Sequence, residues 1–199
     1  MHSADDTIKP AIVTESHLQA LAEKLINASG AYPLSLSYRT LFTLKSLCQR
    51  AVRKSTPSST AASIDPLLAL PPNAEETIIE TIGKALYAPS VGSLLRHELA
   101  YVLGQIGSPL AIRILEEVVN DIEGQEEMIR HESAEALAAL DSRSSIEMLR
   151  RFVNEGGDGE KGRIVRETCQ IALRKLEWNV SEEGKKNGGI DRYVSFHVP

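Results

Sequence analysis

Apolar residues recur three and four positions apart along most of this chain, the spacing of helices that bury one face. Residues 95–106 show the pattern clearly, with apolar positions at Leu95, Leu99, Val102, Leu103 and Ile106 and mainly polar residues between them. Glycine, proline and serine separate one periodic stretch from the next. The pattern therefore predicts four consecutive helical hairpins and an all-α fold.

The predicted hairpins also resemble one another in sequence. In the second helix of the last two hairpins, Arg130, Ser133, Ala136 and Leu137 correspond to Arg166, Cys169, Ala172 and Leu173. A self-similar unit of two helices, repeated along the chain, is typical of HEAT-like solenoids, in which each hairpin buries its apolar face against its neighbours. We therefore expect a HEAT-like α-solenoid.

Breaks in the periodicity predict the domain boundaries. Thr14 is a suitable N-cap for the first helix, so residues 1–13 are expected to form a flexible N-terminus. The HEAT-repeat domain is predicted to cover residues 14–178. Residues 50–73, rich in serine, threonine and proline, are predicted to be a mobile insertion within it, and residues 179–199 a linker or tail.

Local signals predict individual helix ends inside the domain. Asn73 is expected to cap the helix that follows it, and Gly107 to close the helix of residues 95–106. Ser108 and Pro109 are predicted to occupy the N-cap and first helical positions of the next helix. Ser144 is expected to begin a shorter one.

A polar pair occurs twice within this framework. Arg96-His97-Glu98 is repeated thirty-four residues later as Arg130-His131-Glu132. The corresponding positions carry Tyr38 and Arg39 in the first hairpin, and Glu167 and Thr168 in the last. A purely structural feature should appear in all four hairpins, so its restriction to the middle two predicts that these residues carry the function.

Composition and charge exclude some classes of partner. The formal net charge is −5, which argues against a nucleic-acid surface and suits a cationic partner better. No apolar run approaches the roughly 20 residues of a membrane span, and the N-terminus lacks the pattern of a signal peptide. Cys48 and Cys169 lie far apart in helical patterns, so we expect buried thiols and no disulfide. The expected location is the cytoplasm.

The geometry of a helix suggests what the repeated pair can do. Consecutive residues diverge by about 100°, so His97 and Glu98 are expected to serve different ions or different roles. The core stripe leaves both on an exposed inner rim, together with Tyr101 and Gly104. Equivalent helices of neighbouring repeats pack about 10 Å apart, which brings His97 and His131 towards one site. Imidazole and carboxylate groups with open positions suit non-haem iron.

A metal-free alternative stays open on the residues alone. The glutamates could be solvated and the histidines could stack between repeats in a HEAT-type scaffold that grips a partner helix or basic segment. Side chains of His97 and His131 that converge on an open face would favour the metal site. Histidines wedged between repeats would favour the scaffold.

Several stretches resemble a known family, the deoxyhypusine hydroxylases, which are HEAT-repeat di-iron monooxygenases. The resemblance runs from about Leu34 to Trp178. It is carried by RTLFTL at residues 39–44, HELAYVLGQ at residues 97–105 and VRETCQIALRKLEW at residues 165–178. Residues 50–73 depart from the family pattern because they are longer and rich in serine and threonine. The chain matches only the first of the family's two halves.

The resemblance implies a function and a set of site residues. It implies two ferrous ions per complete site, with dioxygen as co-substrate, and hydroxylation of the deoxyhypusine residue of translation initiation factor 5A. The implied candidate metal residues are His97, Glu98, His131 and Glu132: the histidines would ligate one iron and Glu98 the other. Glu132 would also face the cationic amine of the substrate. This half would be inactive unless a missing half or a second copy completes the site, and a degenerate relative that lost its second half is a further alternative.

Overall fold

The structure, a computed structural model, describes residues 11–55, 68–154 and 162–189. Helices dominate these residues, as the periodicity predicts, and the all-α fold is confirmed. The one sheet found in the described part of the chain is a parallel pairing of two two-residue strands, β1 (Ala11–Ile12) and β2 (Leu68–Ala69). The helices are α1 (Glu15–Ile26), α2 (Leu34–Ser55), α3 (Ala74–Tyr87), α4 (Ser93–Ile106), α5 (Ala111–Asn120), α6 (Glu127–Ala139), α7 (Ile146–Asn154), α8 (Arg163–Val180) and α9 (Glu182–Lys186).

The first eight helices form four consecutive hairpins. Helices α2, α4, α6 and α8 pack side by side in one layer, here called the inner layer. Helices α1, α3 and α5 pack against one another on the other side, and α7 packs on α8. The core between the layers includes every residue of the apolar stripe predicted on α4, each at most 4% exposed. Each hairpin therefore buries its apolar face as a HEAT-like solenoid requires.

Hydrogen bonds join successive hairpins on the side opposite the inner layer. The Ser108 hydroxyl, just before α5, donates to Glu75 Oε1 of α3 at 2.6 Å. One repeat later the Ser145 hydroxyl, in the 3-10 turn before α7, donates to Glu116 Oε1 of α5 at 2.7 Å. The same serine–glutamate pairing therefore joins neighbouring hairpins at two successive places.

Most predicted helix ends are confirmed. Thr14 caps α1, and its hydroxyl accepts from the backbone N–H of His17. Asn73 precedes α3, although its side chain makes no capping hydrogen bond. Gly107 ends α4 with a φ of 78°, a left-handed conformation that glycine adopts without strain.

The predicted start of α5 was wrong by two residues. The helix begins at Ala111, whereas Ser108 and Pro109 belong to the preceding turn. The Ser108 hydroxyl oxygen accepts from the backbone N–H of Leu110 at 3.2 Å within this turn, while its proton goes to Glu75. Ser108 therefore closes the turn before α5 and joins it to α3, and makes no capping hydrogen bond to the helix.

Parts of the predicted flexible segments have regular secondary structure where the structure describes them. Helix α2 continues to Ser55, so the start of the predicted insertion 50–73 is helical, and β2 near its end pairs with β1 from the predicted flexible N-terminus 1–13. In the predicted tail 179–199, Ser181 caps α9 by accepting from the N–H of Gly184 at 2.9 Å. Residues 1–10, 56–67, 155–161 and 190–199 lie outside the described residues, so those parts of the predictions stay predictions.

Two further expectations concern the cysteines and the membrane. The thiols of Cys48 and Cys169 are both fully buried, as predicted. Burial, together with the nearby Glu75 carboxylate, raises the pKa of the Cys48 thiol to about 12. Over the described ranges, none of the helices combines the length and the apolar character that crossing a bilayer would demand.

Candidate metal site

Three inner-layer helices form an open cleft of about 380 Å³. Helix α4 contributes His97, Glu98 and Tyr101 to its lining, α6 contributes the second polar pair, and α8 contributes Thr168 and an apolar wall of Ile171 and Ala172. All four residues predicted from the repeated pair therefore face one space. They reach it because the apolar stripes of α4 and α6 point into the core and turn the opposite faces outward.

The first contact in the cleft joins the two repeats. His97 Nε2 lies 3.0 Å from Glu132 Oε2, and the Glu132 side chain is only 8% exposed. The hydrogen bond to Glu132 raises the pKa of His97, against a smaller opposing effect of burial. The imidazole of one hairpin is therefore held by the carboxylate of the next.

The second contact joins the next two repeats through the other ring nitrogen and a different partner. His131 Nδ1 lies 2.7 Å from the Thr168 hydroxyl oxygen on α8. Thr168 occupies the sequence position at which the preceding repeat has Glu132, so a neutral hydroxyl replaces a carboxylate. Burial lowers the pKa of His131, and the nearby charges of Glu132 and His97 oppose each other.

The first repeat extends the same arrangement. Tyr38 of α2 occupies the histidine position of its repeat, and burial followed by the charge of Glu98 raises the pKa of its phenol. Tyr38 therefore lies near Glu98, and in the next two repeats the residue at the histidine position contacts the residue at the glutamate position of the following inner helix: His97 contacts Glu132 and His131 contacts Thr168. Adjacent side chains on one helix consequently serve different neighbours, as their divergence predicts.

Three of the four candidate residues form one cluster. Donor atoms of His97, His131 and Glu132 all lie within 4.8 Å of one another. The two imidazole rings have centroids 6.4 Å apart and are inclined by 30°. Two donor atoms on one ion, each at about 2.1 Å, lie at most about 4.2 Å apart, so small side-chain rotations would suffice to bind an ion. Glu98 lines the cleft but is not part of this cluster.

The donor set fits the metal that the sequence suggests. Two imidazoles and one carboxylate with open positions are the ligands of many non-haem ferrous sites. The cluster is partly buried yet borders an open cleft, so a bound ion would be reachable by a small molecule.

Close packing of α4 on α6 brings the donor atoms of the two helices near one another. Gly104 is buried against Ala136, contrary to the prediction that it lies on the exposed rim. A Cβ built on Gly104 would lie 2.9 Å from Ala136 Cβ and 3.0 Å from Ala136 Cα. Glycine is therefore needed at this position for the observed separation of the helices, which places His97 opposite Glu132.

Sequence reasoning missed two polar residues that line the cleft, Thr168 and Glu135. Thr168 could have been found, because the repeat alignment places it at the position of Glu132. Glu135 carries no such signal: it lies one turn after His131 on α6, where a glutamate is ordinarily solvated.

Comparison with known proteins agrees with the fold. Residues 95–121 match the family described as PBS lyase HEAT-like repeat. A solved structure of human deoxyhypusine hydroxylase in complex with glycerol superposes with a TM-score of 0.62 at 31% identity, over 88% of this chain and 47% of that one. These matches confirm the HEAT-like architecture.

Relatives named deoxyhypusine hydroxylase also match over most of the sequence. The protein of Lentinula edodes is 40% identical over 90% of this chain and 44% of its own length. That of Neurospora crassa is 37% identical over 85% of this chain and 44% of its own length. The resemblance to this family is therefore confirmed, and the chain spans less than half the length of the relatives it matches.

Proposed function

We propose that the chain acts as the N-terminal half of a deoxyhypusine hydroxylase. The premise is its similarity to these enzymes, which covers less than half of their length. The chain would supply part of a di-iron site that hydroxylates the deoxyhypusine residue of translation initiation factor 5A to form hypusine. The observation that carries the proposal is the cluster of His97, His131 and Glu132 in an open cleft.

Each residue of the repeated pair receives a role. His97 and His131 are proposed ligands of one iron, since their donor atoms already lie together. Glu98 is proposed to reach the second iron, because it lines the same cleft outside that cluster. Glu132 orients His97 through the 3.0 Å contact and is proposed to bind metal or the substrate amine. Ferrous iron with dioxygen would supply the oxidation of an unactivated C–H bond, which amino-acid side chains do not provide.

The cleft suits a long cationic side chain. Glu98, Glu132 and Glu135 place three carboxylates in its lining, and these would attract and orient the protonated amines of deoxyhypusine. Ile171 and Ala172 form an apolar wall against which a methylene chain can lie and from which water is displaced. The residues of the chain thus bind and position the substrate near the metal cluster.

The site is proposed to be incomplete within one copy. The cluster offers three donor groups to one ion, and a second iron would need ligands beyond Glu98. A missing C-terminal half or a second copy of the chain would supply them, so we expect this half alone to be inactive. The cytoplasmic location stays a prediction from the sequence.

The metal-free scaffold is less well supported. Both histidines line the cleft and converge on a common point, which is the arrangement expected of a metal site. Histidines used only for stacking between repeats would not need donor atoms from two rings and a carboxylate within 4.8 Å.

Iron content and hydroxylation, measured together, test the proposal. The full chain, loaded anaerobically with ferrous iron, is assayed on deoxyhypusine-containing factor alone and after mixing with the C-terminal half of a relative. We expect hydroxylation only in the mixture, and its loss in His97→Gln. His17→Gln is the matched control, because His17 is exposed on α1 and glutamine preserves its capping position.

Two results would contradict this reasoning. Equal iron content and activity for His97→Gln and His17→Gln would remove His97 from the metal site. Tightly held iron at two ions per monomer, in the chain alone, would show that no second half is needed.

A further inference from the structure

Thr168 makes two hydrogen bonds that bear on which ring nitrogen of His131 carries the proton. Its hydroxyl donates to the backbone oxygen of Ile164, one turn earlier on α8, at 2.9 Å. The same oxygen lies 2.7 Å from His131 Nδ1. A hydroxyl has one proton and two lone pairs, so with its proton directed to Ile164 it can only accept from the imidazole.

We infer that Thr168 is a positioning residue, which holds neutral His131 with the proton on Nδ1 and leaves the lone pair of Nε2 available for a metal ion. This inference rests on the proposed metal site and deepens it. In a neutral imidazole one ring nitrogen is a donor and the other an acceptor. A proton held on Nδ1 by an outer hydrogen bond therefore makes Nε2 the ligand atom.

The neighbouring repeat provides the contrast. His97 presents Nε2, not Nδ1, to its partner Glu132. The two histidines occupy equivalent repeat positions but are held through different ring nitrogens. His131 can therefore offer Nε2 to a metal ion while it keeps its hydrogen bond to Thr168, whereas Nε2 of His97 is the atom that contacts Glu132. The replacement of glutamate by threonine at position 168 gives the last repeat this different function.

The conformation of Thr168 is suited to this role. Threonine is restricted at χ1 in a helix, and the bond to Ile164 fixes its hydroxyl further. The His131 ring is held between α6 and α8, in the cleft wall formed by Thr168 and Ile171. Loss of a residue that hydrogen-bonds to a metal ligand commonly changes metal affinity by about 10- to 100-fold.

The first experiment reads the tautomer without metal. Nitrogen-15 NMR of the metal-free full chain, at a pH above the titration of His131, distinguishes a protonated from an unprotonated ring nitrogen. We expect Nδ1 to be protonated in the unaltered chain and in Thr168→Ser, and the population to shift towards protonated Nε2 in Thr168→Val and Thr168→Ala. Comparison with His131→Gln assigns the resonances.

The second experiment measures Co²⁺ affinity by its absorption spectrum. We expect Thr168→Val to weaken Co²⁺ binding by about tenfold or more, and Thr168→Ser to restore it. The matched control is Thr43→Val on α2: Thr43 also donates to the backbone oxygen four residues earlier, Arg39, at 2.9 Å, but does not line the cleft. We expect Thr43→Val to bind Co²⁺ as the unaltered chain does.

Each outcome decides a different point. The inference would be overturned if His131 of the unaltered chain were protonated on Nε2 and not on Nδ1. It would also be overturned if the tautomer were unchanged in Thr168→Val, or if Thr168→Val and Thr43→Val bound Co²⁺ with the same affinity. Failure of the unaltered chain to bind Co²⁺ would instead contradict the metal site of the proposed function, and the NMR result would still decide whether Thr168 sets the tautomer.

Discussion

Substitution of Gly104 by alanine should separate the two helices that carry the site. The added Cβ would lie 2.9 Å from Ala136 Cβ and 3.0 Å from Ala136 Cα, the latter a backbone atom that cannot rotate away. Carbon atoms in contact prefer about 3.5 to 4.0 Å, so α4 and α6 must move apart by roughly 0.6 to 1.0 Å. His97 lies seven residues before Gly104 on α4, and Glu132 four residues before Ala136 on α6.

Two opposing free-energy effects determine the stability of this variant. Overpacking of a core contact costs about 1 to 3 kcal/mol, whereas replacing glycine by alanine inside a helix gains about 1 kcal/mol. The net destabilisation is therefore about 0 to 2 kcal/mol, a fall in Tm of up to about 8 °C for a domain of this size. The 3.0 Å contact between His97 and Glu132 would be stretched or broken, so we expect Co²⁺ affinity to fall by about tenfold or more.

Urea unfolding and Co²⁺ titration measure the two effects on the same preparation. Gly83→Ala is the matched control: its Cβ would lie 2.8 Å from Ile114 Cδ1, the end of a side chain that can rotate, on a helix that does not line the cleft. We expect that variant to be about as stable or up to about 1 kcal/mol more stable, with unchanged affinity. The double variant Gly104→Ala, Ala136→Gly removes the contact between the two Cβ atoms but leaves the 3.0 Å contact with the backbone Cα, so it should restore only part of the Co²⁺ binding. If Gly104→Ala matched Gly83→Ala in both measurements, close helix approach would not set the site geometry.

Two further predictions follow from the pKa shifts. Glu132→Gln should lower the pKa of His97 measured by NMR, because the hydrogen bond to Glu132 is the main cause of its rise. Because the pKa of His97 is higher in the folded state, protonation of His97 adds to the free energy of unfolding. This contribution is complete at pH values below the unfolded-state pKa of about 6.5, and it is lost as the pH rises through the folded-state pKa. Glu132→Gln should therefore lose more stability just below pH 6.5 than in alkaline solution, and an equal loss at both would contradict the assignment. Cys48, buried with a pKa of about 12, should resist thiol reagents until the protein unfolds, and rapid labelling of the native chain at Cys48 would be contrary to its burial.

Local sequence signals predicted the helices well and their ends less well. Gly107 was identified correctly as the end of α4 because a left-handed residue there is a local backbone property. The start of α5 was placed two residues too early: Ser108 lies in the preceding turn, where it bonds to Glu75, thirty-three residues away. The end of α2 was placed too early, since composition suggested disorder where the helix continues to Ser55. Composition describes the average of a segment and does not locate its boundary.

In the candidate site, too, local features were predicted and contacts between helices were not. The repeat of His97-Glu98 at His131-Glu132 was visible in the sequence, and with it the helix faces and the kind of chemistry. Which side chains meet was not visible. Glu132 approaches His97 of the preceding repeat, and Thr168 approaches His131, through the packing of neighbouring inner helices, which spacing along one helix does not specify.

The order of residues was enough to predict the all-α class, the repeat unit, the buried faces and the residues that differ between repeats. All of these follow from the spacing of apolar and polar residues along one chain. The clustering of His97, His131 and Glu132, with Glu98 outside it, became visible only in the folded chain. That outcome depends on how closely α4 approaches α6 at Gly104 and Ala136, a distance set by contacts between atoms far apart in sequence.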